Sequence, residues 1–264
     1  MSMTETIKLY DRDAYATEFE ADIISCEPNK ADDKQFDIIL NQTLFFPEEG
    51  GQSPDMGILG GYRVVDVQIK NGVITHTVDI SAGDCCIMGK EEAQTEKNAD
   101  GQITGMECVS EKAELAAGGH VHGKIDWQHR FYNMQQHSGE HIFSGIVHRR
   151  FGFENVGFHL SDSVVTMDFS GVISPEDIAE VEHEVNVAIS KNIPIKVTYP
   201  SRDELAQLEY RSKIEIEGQV RIVTVPGYDV CACCAPHVKR TGEIGMLKVM
   251  NYQNYKVQLI NVNS

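Results

Sequence analysis

The sequence predicts an α+β fold, in which a small N-terminal β-barrel domain precedes an α+β domain with an antiparallel sheet and helices on one face. Helical periodicity is nearly absent before residue 125, where runs of β-branched and aromatic residues are bounded by Gly, Pro, Asn and Asp. After that point, helix-type and strand-type patterns alternate. Because a domain takes roughly 150 residues, the 264 residues fit two domains, 1–118 and 119–264.

The first domain is predicted to consist of strands and tight turns. Asn71-Gly72 separates two runs of alternating apolar residues, which is the strongest short-range signal of a β-hairpin. Residues 81–118 are polar and acidic, so we expect a loop-rich insertion and linker there, with a helical turn near 110–117. The strand segments that precede this insertion are 22–26, 36–47 and 61–79.

The second domain is predicted to alternate helices and strands. Residues 127–151 contain no Pro and end at Gly152, a suitable residue to follow a helix, so they predict one long helix. Ser174 as N-cap and Pro175 in the first turn begin a second helix over 174–192. Its apolar stripe consists of Ile178, Val181, Val185, Ala188 and Ile189. The other elements are a hairpin at 158–171, strands at 193–200 and 220–225, a short helix with a capping box at 201–210, and one or two strands after 245.

The net charge of the chain is strongly negative. It carries 23 Lys and Arg against 40 Asp and Glu, a formal charge of −17. Such a chain repels polyanions, which by itself argues against a nucleic-acid partner. However, residues 1–125 carry 10 basic and 23 acidic residues (−13), whereas residues 126–264 carry 13 and 17 (−4). The acidity therefore lies mostly in the first half, and the second half, which also holds seven of the ten histidines, presents a different kind of surface.

Composition excludes several classes of protein. With 41% hydrophobic and 24% charged residues, the chain does not match a collagen, a coiled coil or a disordered protein. No apolar run reaches the roughly 18 residues of a membrane span, and the first residues lack the apolar stretch of a signal peptide. The seven cysteines are an odd number, which disfavours a disulfide framework. We therefore expect a cytoplasmic protein with reduced thiols and no membrane partner.

Two histidines in the first predicted helix have the spacing of metal ligands. His137 and His141 are four residues apart, so they project from the same face of the helix about one turn from each other. Two imidazoles in this arrangement can bind one zinc ion. Ordinary histidines on a polar helix face would show the same spacing.

A second cluster follows a predicted strand near the end of the chain. Cys233 and His237 form C-x₃-H and, together with the two helix histidines, make a full set of ligands for one tetrahedral Zn²⁺ per chain. Cys231 and Cys234 compete with Cys233 as ligands, and spacing alone does not decide between them. The cysteines also fit a reading as small buried thiols.

The helix also matches the H-x-x-E-H signature of inverted zinc peptidases, in which Glu140 would be the general base. That alternative needs a third ligand from a later helix. Glu215 and Glu217 lie at a suitable distance along the chain, but their segment alternates like a strand. A small metallopeptidase would also leave Cys233 and His237 unexplained.

Four motifs in fixed order resemble those of alanyl-tRNA editing proteins, which are free-standing relatives of the alanyl-tRNA synthetase editing domain and are often called AlaX. Phe46 to Gln52 resembles the Gly-rich segment of the longer members, which carry an N-terminal β-barrel. Asp55 to Gly57 extends this segment, and the four motifs themselves are Lys124 to Trp127, Met134 to His141, Gly157 to Leu160, and Cys233 to Gly245. The chain departs from the family in the loop Cys233-Cys234-Ala235-Pro236-His237, commonly C-G-G-T-H, and at Gln258-Leu259, often an Arg pair.

The resemblance implies hydrolysis, in trans, of the ester that links serine or glycine wrongly to tRNA(Ala). Zinc would then either orient the substrate, if all four residues bind it, or activate water, if one is displaced. By the same resemblance, Asn155 and His159 face the aminoacyl group, although a turn Asn and a strand-end His explain them equally well. Gln136 reaches either substrate or solvent, and Glu140 is either a base or, as we favour, a solvated helix residue.

The partner implied is the acceptor end of tRNA(Ala). Gly50, Gly51 and Gln52 are expected to let the backbone approach the substrate, unless they form only a hairpin bend. The expected phosphate contacts, each of which also fits a plain surface charge, are Lys124, Arg130, Arg149, Arg150, Lys239 and Arg240. A non-catalytic tRNA-binding or synthetase-associated protein with structural zinc is the alternative function. Whether the protein is a monomer or a homodimer stays open.

Overall fold

The computed structural model describes residues 5–81, 94–97, 103–107, 114–161, 164–212, 218–253 and 256–261. For the strands at 94–97, 103–107 and 256–261, it describes the pairing of the backbone but not the side chains. The chain forms two compact units. The barrel unit comprises Met1–Pro47 and Pro54–Trp127, and the second unit comprises Glu48–Ser53 and Gln128–Ser264. The second unit is therefore discontinuous in sequence.

Antiparallel strands and tight turns build the barrel unit. Six strands close into a barrel in the order β10-β2-β3-β7-β6-β5. The sequence predicted a small barrel here, without its strand number or order. The predicted hairpin joins β6 to β7, with Asn71 and Gly72 at φ 51° and 77°. The strands are β1 Ile7–Lys8, β2 Glu18–Pro28, β3 Gln35–Leu40, β4 Gln42–Thr43, β5 Gly57–Leu59, β6 Tyr62–Lys70, β7 Val73–Asp79, β8 Gln94–Lys97, β9 Ile103–Glu107 and β10 His120–Ile125, and a 3₁₀ turn spans Leu9–Asp11.

Two features of this unit differ from the expectations. Strand β10, which the sequence boundary assigned to the second domain, pairs with β2 and β5 and closes the barrel. Within the expected loop-rich insertion, β8 and β9 pair with each other. The sequence signal for that pairing is Asp100-Gly101 between them, a favoured hairpin dipeptide. Of the helical turn expected at 110–117, residues 110–113 lie outside the described residues, and 114–117 form no helix.

The barrel unit buries a few polar side chains, and one of them is a histidine. His76 is fully buried, with Nε2 2.8 Å from Thr43 Oγ1 and Nδ1 3.1 Å from the Ile38 carbonyl oxygen. Burial lowers the pKa of His76 from 6.5 to about 4. The histidine is therefore neutral at physiological pH.

The described part of the second unit contains three α-helices and two antiparallel sheets, where one sheet was expected. The larger sheet has the order β11-β12-β17-β16 and the smaller one β13-β14-β15. The elements are α1 Trp127–Phe151, β11 Asn155–Leu160, β12 Val165–Phe169, α2 Pro175–Ser190, β13 Lys196–Thr198, α3 Arg202–Leu205, β14 Ile222–Val225, β15 Asp229–Ala232, a 3₁₀ turn Thr241–Ile244, β16 Leu247–Gln253 and β17 Lys256–Asn261. Among the described residues, no helix has the length and apolar character needed to cross a membrane.

The two shorter helices begin at the N-cap residues that the sequence predicted. Ser174 Oγ accepts the Asp177 N–H (3.1 Å) at the start of α2, and Pro175 follows at the first helical position. The whole predicted apolar stripe of α2 is buried. Ser201 and Glu204 form the predicted capping box of α3.

Helix α1 lies inside the second unit, with almost every residue from Met134 to Val147 buried. Glycine allows neighbouring segments to approach it closely: a Cβ on Gly145 would lie 2.3 Å from the Tyr228 carbonyl oxygen. The polar side chains of α1 therefore face protein on nearly all sides, and the buried histidines and carboxylate of this helix need partners there.

Candidate metal centre and cavity

Helix α1 and the segment after β15 bring four candidate metal ligands together. His137 and His141 lie one turn apart on α1, while Cys233 and His237 follow the strand. One ligand atom from each residue lies within 4.8 Å of those of the other three. The structure therefore groups the four residues that the sequence predicted, from segments about 100 residues apart.

A polar partner holds each of the three imidazoles at Nδ1. His137 Nδ1 lies 2.8 Å from Gln52 Oε1, His141 Nδ1 lies 2.8 Å from Asp229 Oδ2, and His237 Nδ1 lies 3.0 Å from Ser138 Oγ. An amide or carboxylate oxygen only accepts, so Nδ1 of His137 and of His141 carries the hydrogen. This tautomer leaves the lone pair on Nε2 for a metal. Outer partners of this kind fix the orientation of metal-binding histidines.

The distances among the donor atoms suit zinc. Cys233 Sγ lies 3.6 Å from His137 Nε2 and 3.4 Å from His237 Nε2. Tetrahedral zinc with ordinary Zn–S and Zn–N bond lengths separates a sulfur from a nitrogen ligand by about 3.6 Å. Burial first, and then the other two imidazoles, hold the pKa of His237 well below its usual value, so this ligand is neutral. Burial raises the pKa of the Cys233 thiol, and a bound cation would oppose that effect.

Behind His141 lies a buried ion pair. Arg211 donates to Asp229 through Nε (2.8 Å to Oδ1) and through Nη2 (3.0 Å to Oδ2), while Asp229 also accepts from His141. Burial alone would raise the pKa of the Asp229 carboxyl, but the bonds from His141 and Arg211 outweigh it and the pKa is lowered. The carboxylate is thus ionised and holds His141 in place. Sequence reasoning missed both residues, although Asp229 lies only two positions before the cysteine cluster.

Among the three clustered cysteines, the geometry favours Cys233 as the ligand. Cys231 groups with His141 and Asp229 in a second set of potential donors. However, Asp229 already accepts three hydrogen bonds from Arg211 and His141, so this set lacks a free carboxylate. Cys234 borders the neighbouring cavity and belongs to neither donor group of the described residues.

The Gly-rich turn 48–53 belongs to the second unit and supports the metal centre. Gly50 and Gly51 have φ values of 65° and 85°, which L-residues rarely adopt. A Cβ on Gly51 would lie 2.3 Å from the Phe158 carbonyl oxygen, so only glycine lets the turn pack here. Gln52 is fully buried and contacts His137. The residue expected to touch substrate therefore stands behind a metal ligand.

A cavity of about 410 Å³ opens beside the four ligands. Its lining includes His137, His141 and Cys233, the carboxylates Glu49 and Glu140, the guanidinium Arg211, and the apolar Val156 and Phe158. Small apolar pockets with a few converging polar groups are typical ligand sites.

Glu140 is 2% exposed, so the expectation of a solvated helix residue was wrong. Its Oε1 accepts from Ser144 Oγ and from Asn155 Nδ2, both at 2.6 Å. The reason for its burial is that α1 is enclosed on nearly every side at this point. The helix pattern of charged and apolar residues did not reveal this enclosure.

The other residues predicted to be catalytic lie in different settings. Asn155 is buried and does not line the cavity, but it donates a hydrogen bond to Glu140, which does. His159 is exposed and does not line the cavity. Gln136 is buried, and its Nε2 has no hydrogen-bond partner among the described residues. Their catalytic roles stay predictions.

The predicted tRNA contacts also divide into groups. Arg130 is fully buried, so no phosphate reaches it, and its assignment as a surface contact was wrong. Lys124, in the barrel unit, pairs with Glu18. Arg149 and Arg150 pair with acidic residues of α2. Lys239 and Arg240 are exposed on the second unit.

The metallopeptidase alternative gains no support from the described residues. Glu215 and Glu217, its candidate third ligands, lie outside them. The donor set instead includes Cys233 and His237, which that alternative leaves unexplained.

Comparison with known proteins shows the family. The domain described as "Threonyl and Alanyl tRNA synthetase second additional domain" matches residues 220–260. The alanyl-tRNA editing protein AlaX-L of Pyrococcus horikoshii is 28% identical over 93% of this chain and 54% of its own length, and Aarsd1 of Mus musculus is 27% identical over 96% and 57%. The chain thus spans about half the length of these two relatives. The alanyl-tRNA editing protein AlaX-M of Saccharolobus solfataricus is 31% identical over 96% of this chain and 94% of its own length. With that similarity running along nearly the whole of both proteins, the chain belongs to the alanyl-tRNA editing protein family.

Proposed function

We propose that the protein is a zinc-dependent deacylase that hydrolyses the ester of serine or glycine wrongly attached to tRNA(Ala), acting in trans. The observation that carries this proposal is the group of four donors, His137, His141, Cys233 and His237. The first three of them line a cavity. Family membership supplies the link to tRNA(Ala), and the donor geometry supports zinc.

The size of the cavity fits the chemical need. A synthetase pocket that accepts alanine cannot strongly reject glycine by size, nor serine for its one added hydroxyl, so a second hydrolytic site is required. A volume of about 410 Å³ accommodates a small aminoacyl group and part of the terminal ribose. The apolar walls at Val156 and Phe158 limit the water that reaches the ester.

Zinc bound by the four residues would supply positive charge that polarises the substrate or orders the cavity. The protein's own residues hold this arrangement rigid: Gln52, Ser138 and Asp229 fix the three imidazoles. Their hydrogen bonds keep the donor atoms directed inward, which limits reorganisation during the reaction.

We assign proton transfer to Glu140. Glu140 lines the cavity and lies between the two helix histidines in sequence, and hydrogen bonds from Ser144 and Asn155 fix its Oε1. In this role Glu140 accepts a proton from the attacking water as the ester carbon is attacked, and returns it to the departing ribose oxygen. Asn155 is then a positioning residue that acts through Glu140.

The test is a deacylation assay with seryl-, glycyl- and alanyl-tRNA(Ala), run with the zinc-loaded protein and after removal of zinc by a chelator. We expect release of serine or glycine by the loaded protein, little release of alanine, and loss of activity on chelation that returns when zinc is added. Absence of serine and glycine release by the loaded protein would overturn the proposal.

One observation favours a non-catalytic function. All four donors are protein side chains, and structural zinc sites are closed in this way. The Glu140→Gln variant separates the two functions, because the amide keeps the size of the side chain and an oxygen for Ser144 and Asn155. Deacylation lost with zinc retained supports catalysis, whereas a tRNA-binding protein with structural zinc shows no turnover in either form.

We further propose that the tRNA acceptor end docks on the second unit, with Lys239 and Arg240 contacting phosphates. Both are exposed, and their half of the chain carries only −4 of the net charge. Binding should therefore weaken steeply with salt. The cytoplasmic location remains a prediction from the sequence, and the choice between monomer and homodimer remains open.

A further inference from the structure

Glu49 presents a buried carboxylate oxygen that nothing in the described structure satisfies. Its Oε2 is shielded from solvent and has no hydrogen-bond partner among the described residues, and the residue lines the cavity beside the metal ligands. Glu49 as a whole is half-buried, but a buried carboxylate oxygen is costly unless a cation or donor meets it. The neighbouring Glu48 is exposed, so the turn places its two carboxylates in different environments.

The other charged side chains that line the described part of the cavity already have partners. Glu140 accepts hydrogen bonds from Ser144 and Asn155, and the guanidinium of Arg211 donates two hydrogen bonds to Asp229. Glu49 also belongs to neither group of potential metal donors. The unmet carboxylate therefore calls for a cation that enters the cavity from outside.

The position of Glu49 is set by the same turn that supports His137. Gln52 N–H donates to the Glu49 carbonyl oxygen (3.2 Å), and the Gln52 side chain contacts His137. The Leu160 N–H donates to the Gly51 carbonyl oxygen (2.8 Å), which ties the turn to β11. A ligand group at Glu49 is thereby held at a defined place relative to the metal ligands.

We propose that Glu49 is a specificity-determining residue that binds the α-ammonium group of the aminoacyl ester. This inference rests on the proposed function, because it names the part of that substrate which Glu49 recognises. An aminoacyl ester carries its ammonium on the carbon next to the ester carbonyl, and an ammonium offers three donors to a carboxylate. Anchoring it fixes the carbonyl in the cavity and excludes acyl groups that lack a positive charge.

The experiment compares two esters that differ only at this group. Seryl-tRNA(Ala) is treated with nitrous acid, which replaces the ammonium by a hydroxyl and gives the glyceroyl ester (the ester of glyceric acid) of the same tRNA. We measure kcat/KM for both esters with the wild-type protein and with Glu49→Gln, Glu49→Asp and the control Glu48→Gln, after confirming equal zinc content. For each protein we take the ratio of the two kcat/KM values. Comparing this ratio between variants removes the difference in intrinsic reactivity between the two esters.

We expect Glu49→Gln to lower kcat/KM for the seryl ester on the order of 10- to 100-fold, the effect of losing one charge-assisted hydrogen bond. The glyceroyl ester should be hydrolysed equally well by wild type and variant. Glu49→Asp should retain part of the preference for the charged ester, and Glu48→Gln all of it. An unchanged ratio of the two kcat/KM values would overturn the inference. If both values fall equally, the role of Glu49 is merely structural.

A binding measurement separates this inference from the proposed function. The zinc-loaded protein is titrated with a non-hydrolysable adenosine that carries serine through an amide at its 3′ position, and with the deaminated analogue. Preference for the ammonium form that disappears in Glu49→Gln supports the inference even if no ester is hydrolysed. Equal binding of both analogues by the wild type refutes it, whatever the outcome of the deacylation assay.

Discussion

Replacing Asp229 by Asn tests whether the ion pair behind His141 supports the metal centre. Asp229 accepts three hydrogen bonds, two from Arg211 and one from His141. An Asn has one accepting oxygen, and its amide nitrogen would face other donors. Because Arg211 would then stay largely buried without its counter-charge, we expect the free energy of unfolding of the zinc-free protein to fall by about 3 kcal/mol, measured in urea.

The same substitution should weaken zinc binding about 10- to 100-fold, because His141 loses the partner that fixes its Nδ1. Competition with a chromophoric chelator measures this affinity. The double variant Asp229→Leu with Arg211→Met separates the two effects. Replacing both charges by apolar groups restores most of the stability, yet His141 still lacks an acceptor. Zinc affinity of the double variant equal to that of wild type would refute the reasoning.

Three other predictions concern separate features. Because the pKa of His76 is lowered to about 4, its contribution to stability is complete above pH 6.5 and is lost as the pH falls. We expect urea denaturation to show about 2 kcal/mol less stability at pH 5 than at pH 7.5. The difference should be smaller in His76→Gln. Gly51→Ala should weaken zinc binding by displacing the turn, whereas Gly152→Ala, at φ 70° with open space around it, should cost only about 1 kcal/mol of stability and leave zinc affinity unchanged. Elemental analysis should find no zinc in Cys233→Ser and one equivalent in Cys231→Ser; the reverse result would reassign the ligand.

Features that depend on local signals were predictable from the sequence. The hairpin at Asn71-Gly72, the capped start of α2 and the spacing of His137 and His141 each depend on residues a few positions apart. The positive φ of Asn71 and Gly72, and the cap at Ser174, are properties of short segments. Such signals act before tertiary structure forms, so a single sequence reveals them.

Features that depend on distant segments were not predictable in the same way. The partners of the metal ligands lie 85 to 99 residues away along the chain, and no spacing rule links Gln52 to His137 or Asp229 to His141. The family resemblance implied that Asn155 and His159 both face the aminoacyl group. However, a β-bulge between Asn155 and Gly157 shifts the alternation, so Asn155 is buried and His159 exposed.

The discontinuity of the second unit limits how this protein can be divided. A fragment that begins at Gln128 would contain all four metal ligands and both sheets, but it would lack Glu48–Ser53. His137 would lose the Gln52 oxygen, and the cavity would lose Glu49. Strands of the barrel unit lie on both sides of that turn in sequence: β1 to β4 precede it, and β5 to β10 lie between it and the metal ligands. A continuous fragment that holds the metal ligands therefore either includes barrel strands or leaves the turn out. A working minimal protein therefore needs a circular permutation or a short linker that joins residue 53 to residue 128, rather than a simple truncation.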